Sequence, residues 1–344
     1  MSLSIYGKLP SGERLERIKT SPNYKDGTFQ NISKTNAMAE DASFCKTMKD
    51  FFNKPKTVTP LVNLPSIKTD LKKLNSDKPT IVWFGHSSYL VKINNRTILV
   101  DPVFSGNAAP MSFMIKAFKG ADVYKVEDMP AIDILLLTHD HYDHLDHKTV
   151  IKLNSKVKKI VCSLGLGSHL EHWGIPKNKI TELDWWETFK DNDLRFTTTP
   201  ARHFTGRGIK RGQTLWSSFV LKTTTHNLFL GGDSGYDKHF KEIGEKFGPF
   251  DIAILESGQY NKSWPNIHMM PEETVQASID LKAKILLPVH WGKFALAMHA
   301  WNEPIDRILK KAEELKVKVT TPLIGEEVIL GNTLPDKTWW NLIS

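Results

Sequence analysis

The chain has 344 residues, is 40% hydrophobic and 24% charged, and holds no apolar run near the roughly 18 residues that a membrane-spanning helix requires. Its two cysteines, Cys45 and Cys162, exclude a disulfide-stapled scaffold and read as free thiols. The formal net charge of +8 is uneven: residues 1–75 hold 13 Lys/Arg against 7 Asp/Glu, an excess that either attracts anionic phospholipid headgroups or nucleic acid, or is plain solvated surface.

Residues 1–75 carry Pro10-Ser11-Gly12, Ser21-Pro22-Asn23 and scattered lysines, with little periodicity beyond a short helix around Ala37–Phe52. They are predicted to be an extended N-terminal arm packed on a hydrolase domain formed by residues 76–344. Residues 1–20 contain no continuous apolar stretch of the signal-peptide kind, which favours a cytoplasmic or peripheral-membrane location.

From Thr80 the texture changes. Ile81-Val82-Trp83-Phe84, Tyr89–Ile93 and Thr97–Val100 are short β-rich runs, with Asn94-Asn95 as a hairpin turn between the last two. Ile132-Asp133-Ile134-Leu135-Leu136-Leu137 is a nearly continuous apolar strand, the pattern of burial on both faces. Lys159–Cys162, Phe219–Leu221, Leu228–Leu230, Ile252–Leu255 and Ile285–Val289 read as further strands, and His169–Trp173 as a short helix. Pro271 opens a helix with Glu272 and Glu273 in its first turn, where acids suit the positive end of the dipole, and with Val275 and Ile279 four apart. Pro304 opens another, with Ile305, Ile308, Leu309, Ala312 and Leu315 on one face; both are expected to lie on a sheet.

The chemistry concentrates in Thr138-His139-Asp140-His141-Tyr142-Asp143-His144, directly after the apolar strand. Neutral imidazole and carboxylate are the donors that borderline divalent metals prefer, and alternate residues of an extended loop present His139 and His141 to one point. Asp143 and His144 continue round the turn and can face a second ion. The bland alternative is a solvated polar loop, which fits poorly behind a buried strand.

His-x-His-x-Asp-His resembles the signature of the metallo-β-lactamase superfamily, an α/β fold built as an αββα sandwich. The resemblance implies three more ligands, and they stand in order: His203 in Pro200–Phe204, Asp233 in Gly231-Gly232-Asp233-Ser234-Gly235, and His290 in Leu287–Gly292. It further implies that His139, His141 and His203 bind one metal ion and Asp143, His144 and His290 a second, with Asp233 bridging and a metal-bridging hydroxide as nucleophile. Zinc is the expected metal, and iron or manganese suits the same donors.

A closer similarity extends over most of the chain. Gly85-His86-Ser87-Ser88, Asp101–Ser105, Thr138–Asp146, Trp185-Trp186, His268 ahead of Pro271-Glu272-Glu273, and His290–Leu296 resemble the N-acylphosphatidylethanolamine-hydrolysing phospholipase D branch; Leu9–Arg14 and Ser21–Tyr24 resemble its bacterial members. That branch implies a phosphodiesterase acting on an N-acylated phospholipid or related lipid. Where mammalian members carry Ala-Tyr and then Pro-Arg-Trp, this chain has Gln259-Tyr260-Asn261-Lys262-Ser263-Trp264, so headgroup and acyl preference do not carry over.

His268 matches a branch histidine expected to face substrate, where it would hydrogen-bond a phosphoryl oxygen or protonate the leaving group; capping the Pro271 helix is the alternative. Asp143 and His268 are expected to be catalytic, and His268, Tyr260 and Trp264 to touch substrate. His86 either orients a ligand or is a buried structural residue, and Asp146 either accepts from a ligand histidine or caps the helix near Lys148. Trp173, Trp185, Trp186, Trp264 and Trp291 are candidates for an acyl-chain groove or for packing, and Phe51-Phe52 and Met111–Met114 for membrane contact or burial.

The same ligand set admits a lactonase acting on a sugar-phosphate lactone or a nuclease. From another class, a binding module that has lost catalysis is the alternative, against which the intact ligand set argues. No run of interleaved basic and aromatic residues supports a nuclease, so nucleic acid is not an expected partner.

Overall fold

The computed structural model describes residues 3–40, 42–75 and 77–343. The side chains of Leu3, Phe44, Cys45, Met48 and Phe52 are excepted, so the free-thiol reading of Cys45 and the membrane reading of Phe52 lie outside the described residues. Cys162 is a buried free thiol.

Two twisted sheets face each other. The first has seven strands in the order Glu327–Ile329, Thr80–Trp83, Tyr89–Ile93, Arg96–Val100, Ile132–Leu137, Val157–Ser163 and Ile180–Leu183. The second has six, in the order Leu286–Val289, Ile252–Glu256, Asn227–Leu230, Ser218–Lys222, Leu194–Thr199 and Thr188–Asp191. Each sheet joins an antiparallel part to a parallel part. Ile132–Leu137 shows why the apolar runs are continuous: Ile134 and Leu136 join the core between the sheets, while Ile132, Leu135 and Leu137 join the layer that holds Val150, Leu153 and Leu170 of the outer helices His147–Leu153 and Gly167–His172. The other outer helices, His239–Phe247, Pro271–Asp280 and Glu303–Leu315, bury Phe240, Ile243, Val275, Ile305 and Ile308. The architecture is the expected αββα sandwich.

Some elements differ from the sequence expectation. The helix expected around Ala37–Phe52 spans Phe44–Phe52, because Ser43 caps it by accepting a hydrogen bond from Lys46 N. Val275 is buried but Ile279 is 40% exposed, and Leu315 is 38% exposed, so neither helix stripe is wholly internal. Thr188–Asp191 gave no apolar signal because it is an edge strand with alternating exposure.

Residues before Thr80 cover the body at several points. The helix Gly12–Lys19 buries Ile18 with Phe29, Leu164, Trp185 and Trp216, and Arg14 pairs with Glu171 at 2.8 Å and Glu182 at 2.7 Å. Ile18→Ala is therefore expected to lower unfolding stability by about 2–5 kcal/mol in urea titrations. A change under about 0.5 kcal/mol, the range of ordinary surface substitutions, would mean this packing contributes nothing.

Candidate metal centre

Every candidate donor follows the carboxyl end of a strand, where loops of an α/β sheet are free to converge. His139, His141, Asp143 and His144 follow Ile132–Leu137, His203 follows Leu194–Thr199, Asp233 follows Asn227–Leu230, and His290 directly follows Leu286–Val289. Both sheets thus feed one pocket.

The first group is His139, His141 and His203. His141 Nδ1 lies 3.0 Å from His139 Nε2 and 3.2 Å from His203 Nε2. Nitrogens gathered this closely have the spacing of three ligands on one tetrahedral ion with bonds of about 2.0–2.1 Å. Their protons are drawn elsewhere: His203 Nδ1 donates to the Ile267 carbonyl at 2.8 Å, and His139 Nδ1 donates to Thr138 Oγ1 at 3.0 Å. Burial holds His139, His141 and His203 below the ordinary imidazole range, in the neutral form that keeps a lone pair.

The second group is Asp143, His144 and His290. His144 Nδ1 donates to Asp101 Oδ2 at 2.7 Å, turning Nε2 towards Asp143 Oδ2 at 3.5 Å; His290 Nε2 is 4.0 Å from the same oxygen. Asp233 stands between the groups. Its Oδ2 is 3.8 Å from both His139 Nε2 and His203 Nε2, whereas Oδ1 is 3.1 Å from His144 Nε2 and 3.2 Å from His290 Nδ1.

The chemistry of these residues fits metal ions. Among the described residues His144 Nε2, His290 Nε2 and Asp233 Oδ1 are buried without a hydrogen bond, each a cost of about 1–3 kcal/mol that a cation between them would remove. Burial opposes ionisation of Asp233, yet His144, whose own imidazole is held well above its ordinary range by Asp233 and Asp143, holds the Asp233 carboxyl well below the usual carboxylate range.

Two contributors lacked an assigned role in the sequence. Asp101 accepts from Thr138 N, Thr138 Oγ1 and His144 Nδ1, so it orients His144 directly and His139 through Thr138. Glu256, at a strand end, lies 3.4 Å from His268 Nδ1 and accepts from Met269 N at 2.9 Å. Burial pushes its carboxyl up to about 7, with His268 pulling the other way.

A cavity of about 490 Å³ opens above the donors. Its walls include Met38, Phe51, Met114, Ile115, Phe204, Trp264, Ile267 and Leu296; His268 lines it too, with its ring 5.1 Å from His203 and 5.2 Å from His290. Tyr260 is placed otherwise than expected. Its hydroxyl donates to Glu303 Oε1 at 2.7 Å and its ring stacks on His299, which turns it into a separate cavity of about 750 Å³. Asp146 is a helix cap, accepting from Lys148 N at 3.1 Å. Of the five candidate tryptophans only Trp264 lines the metal cavity; Trp173, Trp185 and Trp291 are buried in hydrophobic clusters, and Trp186 stacks on Phe247.

Comparison with known proteins gives the family and the fold. The family model described as a Beta-lactamase superfamily domain matches residues 96–291. An uncharacterized protein of Mycobacterium tuberculosis is 36% identical over 327 residues, covering 94% of this chain and 88% of its own length. The N-acyl-phosphatidylethanolamine-hydrolyzing phospholipase D 1 of Caenorhabditis elegans is 33% identical over 252 residues, covering 68% and 70%. Among solved structures, the metallo hydrolase Igni18 of Ignicoccus hospitalis superposes with a TM-score of 0.55 at 19% identity, covering 73% of this chain and 97% of that one. The diiron beta-hydroxylase CmlA of Streptomyces venezuelae superposes at 0.56 with 17% identity, covering 75% and 55%, a likeness of fold alone.

Because Asp101 fixes the proton on His144 Nδ1 and, through Thr138, on His139, Asp101→Leu is expected to weaken metal binding roughly 10–100-fold in chelator competition. Unchanged affinity would show that the donors hold their orientation without it.

Proposed function

The chain belongs to the metallo-β-lactamase superfamily, and on that footing we propose that it is a dinuclear metal-dependent phosphodiesterase of phospholipase D type, acting on an N-acylated phospholipid or a related lipid. The observation that carries the reading is the division of Asp233 between two donor groups at the base of an apolar cavity. His139, His141 and His203 would hold one ion, Asp143, His144 and His290 the other, and Asp233 both. Two such cations, zinc by preference and iron or manganese by the same donor chemistry, make hydroxide available near neutral pH and stabilise charge on phosphoryl oxygens.

The chain's own residues supply the rest. Asp143 completes the second group, and its carboxylate is held by the His86 ring at 2.8 Å. Glu256 faces His268 Nδ1, which leaves Nε2 for the cavity, where it protonates the departing alcohol oxygen as the phosphodiester is cleaved. Trp264, with its indole N–H held by the Gln259 carbonyl at 2.9 Å, and Phe204 form walls against which an acyl chain loses its water. Such walls favour a lipid over a sugar-phosphate lactone, whose hydroxyls need hydrogen-bonding partners. Among the described lining residues Arg211 is the only lysine or arginine, which suits one headgroup better than a polyanionic nucleic acid.

The cavity mouth also suits contact with a bilayer. No helix among the described residues is long and apolar enough to cross a membrane. Phe113 is 67% exposed and Ile209 fully exposed on loops that also give Met114 and Arg211 to the cavity, with Lys116 and Lys210 exposed beside them. Apolar tips flanked by cations match an anionic lipid surface.

Three variants test the chemistry by hydrolysis of N-acylated phospholipid together with elemental analysis. His139→Ala and Asp233→Asn should lose metal and nearly all turnover, whereas His268→Ala should keep its metal and lose roughly 10²–10⁴-fold in turnover. Full activity in the metal-ligand variants, or wild-type turnover in His268→Ala, would contradict the assignment. For the membrane contact, binding to vesicles should strengthen with anionic lipid and weaken as salt shortens the reach of exposed charges to about 8 Å. Equal binding to neutral and anionic vesicles would exclude it.

A further inference from the structure

His86 is fully buried at a turn after Thr80–Trp83, in a left-handed conformation with φ of +52°. A non-glycine residue held there stores strain that the surroundings must offset, and such strain gathers at functional sites. Most of the offsetting contacts lead towards the second donor group. His86 N donates to the Trp291 carbonyl at 2.8 Å, and the His86 carbonyl accepts from His290 N at 2.9 Å and from Trp83 Nε1 at 2.7 Å. The imidazole packs 3.9 Å from the His290 ring, and its Nε2 is 2.8 Å from Asp143 Oδ2. Nδ1 has no hydrogen-bond partner among the described residues, so the carboxylate is the one acceptor they offer the ring. His290 is itself left-handed, with φ of +67°, so a reciprocal pair of backbone hydrogen bonds locks two unfavourable turns against each other.

We propose that His86 is the positioning residue of the second metal position: it fixes Asp143 through its ring and His290 through its backbone, and so sets how tightly that ion is held. The inference rests on the two-metal reading above. None of the hydrogen bonds of His86 reaches His139, His141 or His203. The first position therefore keeps its donors when the His86 ring is removed. An alanine retains the Cβ, so the backbone strain stays as it was and the variant reads the ring alone. A glutamine places an N–H donor at comparable reach and restores the bond to Asp143.

The experiment uses the full chain, stripped with chelator and titrated with Zn²⁺ against a competing chromophore. The wild type is expected to take up two equivalents. His86→Ala should bind the first equivalent as the wild type does and the second roughly 10–100-fold more weakly, the usual effect of removing a residue that orients a ligand. His86→Gln should recover most of that loss, which a direct ligand role for the imidazole would not allow. The melting temperature of the metal-free protein is measured alongside. Two equivalents bound at wild-type affinity by His86→Ala overturn the proposal, as does equal weakening of both equivalents with a lowered metal-free melting temperature in both variants. A wild type that binds a single ion overturns the two-metal reading and this inference with it.

Discussion

Negative charge packed out of water is the constraint on which the rest depends. Asp101, Asp143, Asp233 and Glu256 are all buried around one histidine cluster, and a buried carboxylate costs several kcal/mol unless donors or cations face its oxygens. Asp101 is answered by Thr138 and His144, and Asp143 by His86. Asp233 keeps an oxygen with no hydrogen bond, facing His144 and His290. The Nδ1 atoms of His139, His144 and His203 point outward to protein oxygens and leave Nε2 facing inward, an arrangement that is costly in an ordinary core and suited to holding cations.

The fold makes this arrangement available. The donor-bearing strands of each sheet end at the same edge of the sandwich, and every donor stands within seven residues of its strand end, so the two halves bring their donors together there. Rigidity comes from the strands behind. Gly232 and Gly258 show how closely the loops approach: a Cβ at Gly232 would meet the Ser217 carbonyl at 2.4 Å, and one at Gly258 the His290 carbonyl at 2.3 Å. The apolar cavity above then supplies a dry setting in which charge on a substrate oxygen is felt strongly.

Much of this was legible in the sequence, for local reasons. The buried strand ending in His139–His144 states both its own fold and its chemistry, because side-chain period and ligand spacing are short-range properties. His203, Asp233 and His290 were found by resemblance; in the structure His203 gathers with His139 and His141, His290 with Asp143 and His144, and Asp233 stands between them. Asp101 and Glu256 carried no comparable signal, since one acid at a strand end looks like any cap until the partner histidine, 43 or 12 residues away, is seen to face it. Tyr260 lies one residue from Gln259, which does line the cavity, and only Glu303 on a distant helix reveals that its hydroxyl turns the other way. The tryptophans were ambiguous because packing and ligand walls ask for the same large apolar surface.

The central claim is that one carboxylate is shared by two ions. Crystals grown with zinc and measured on both sides of its absorption edge would locate the metals directly. The account predicts two anomalous peaks roughly 3.5–4 Å apart on either side of Asp233, one beside His139, His141 and His203 and the other beside Asp143, His144 and His290. A single peak at full zinc occupancy, or a pair in which Asp233 contacts only one, would contradict it.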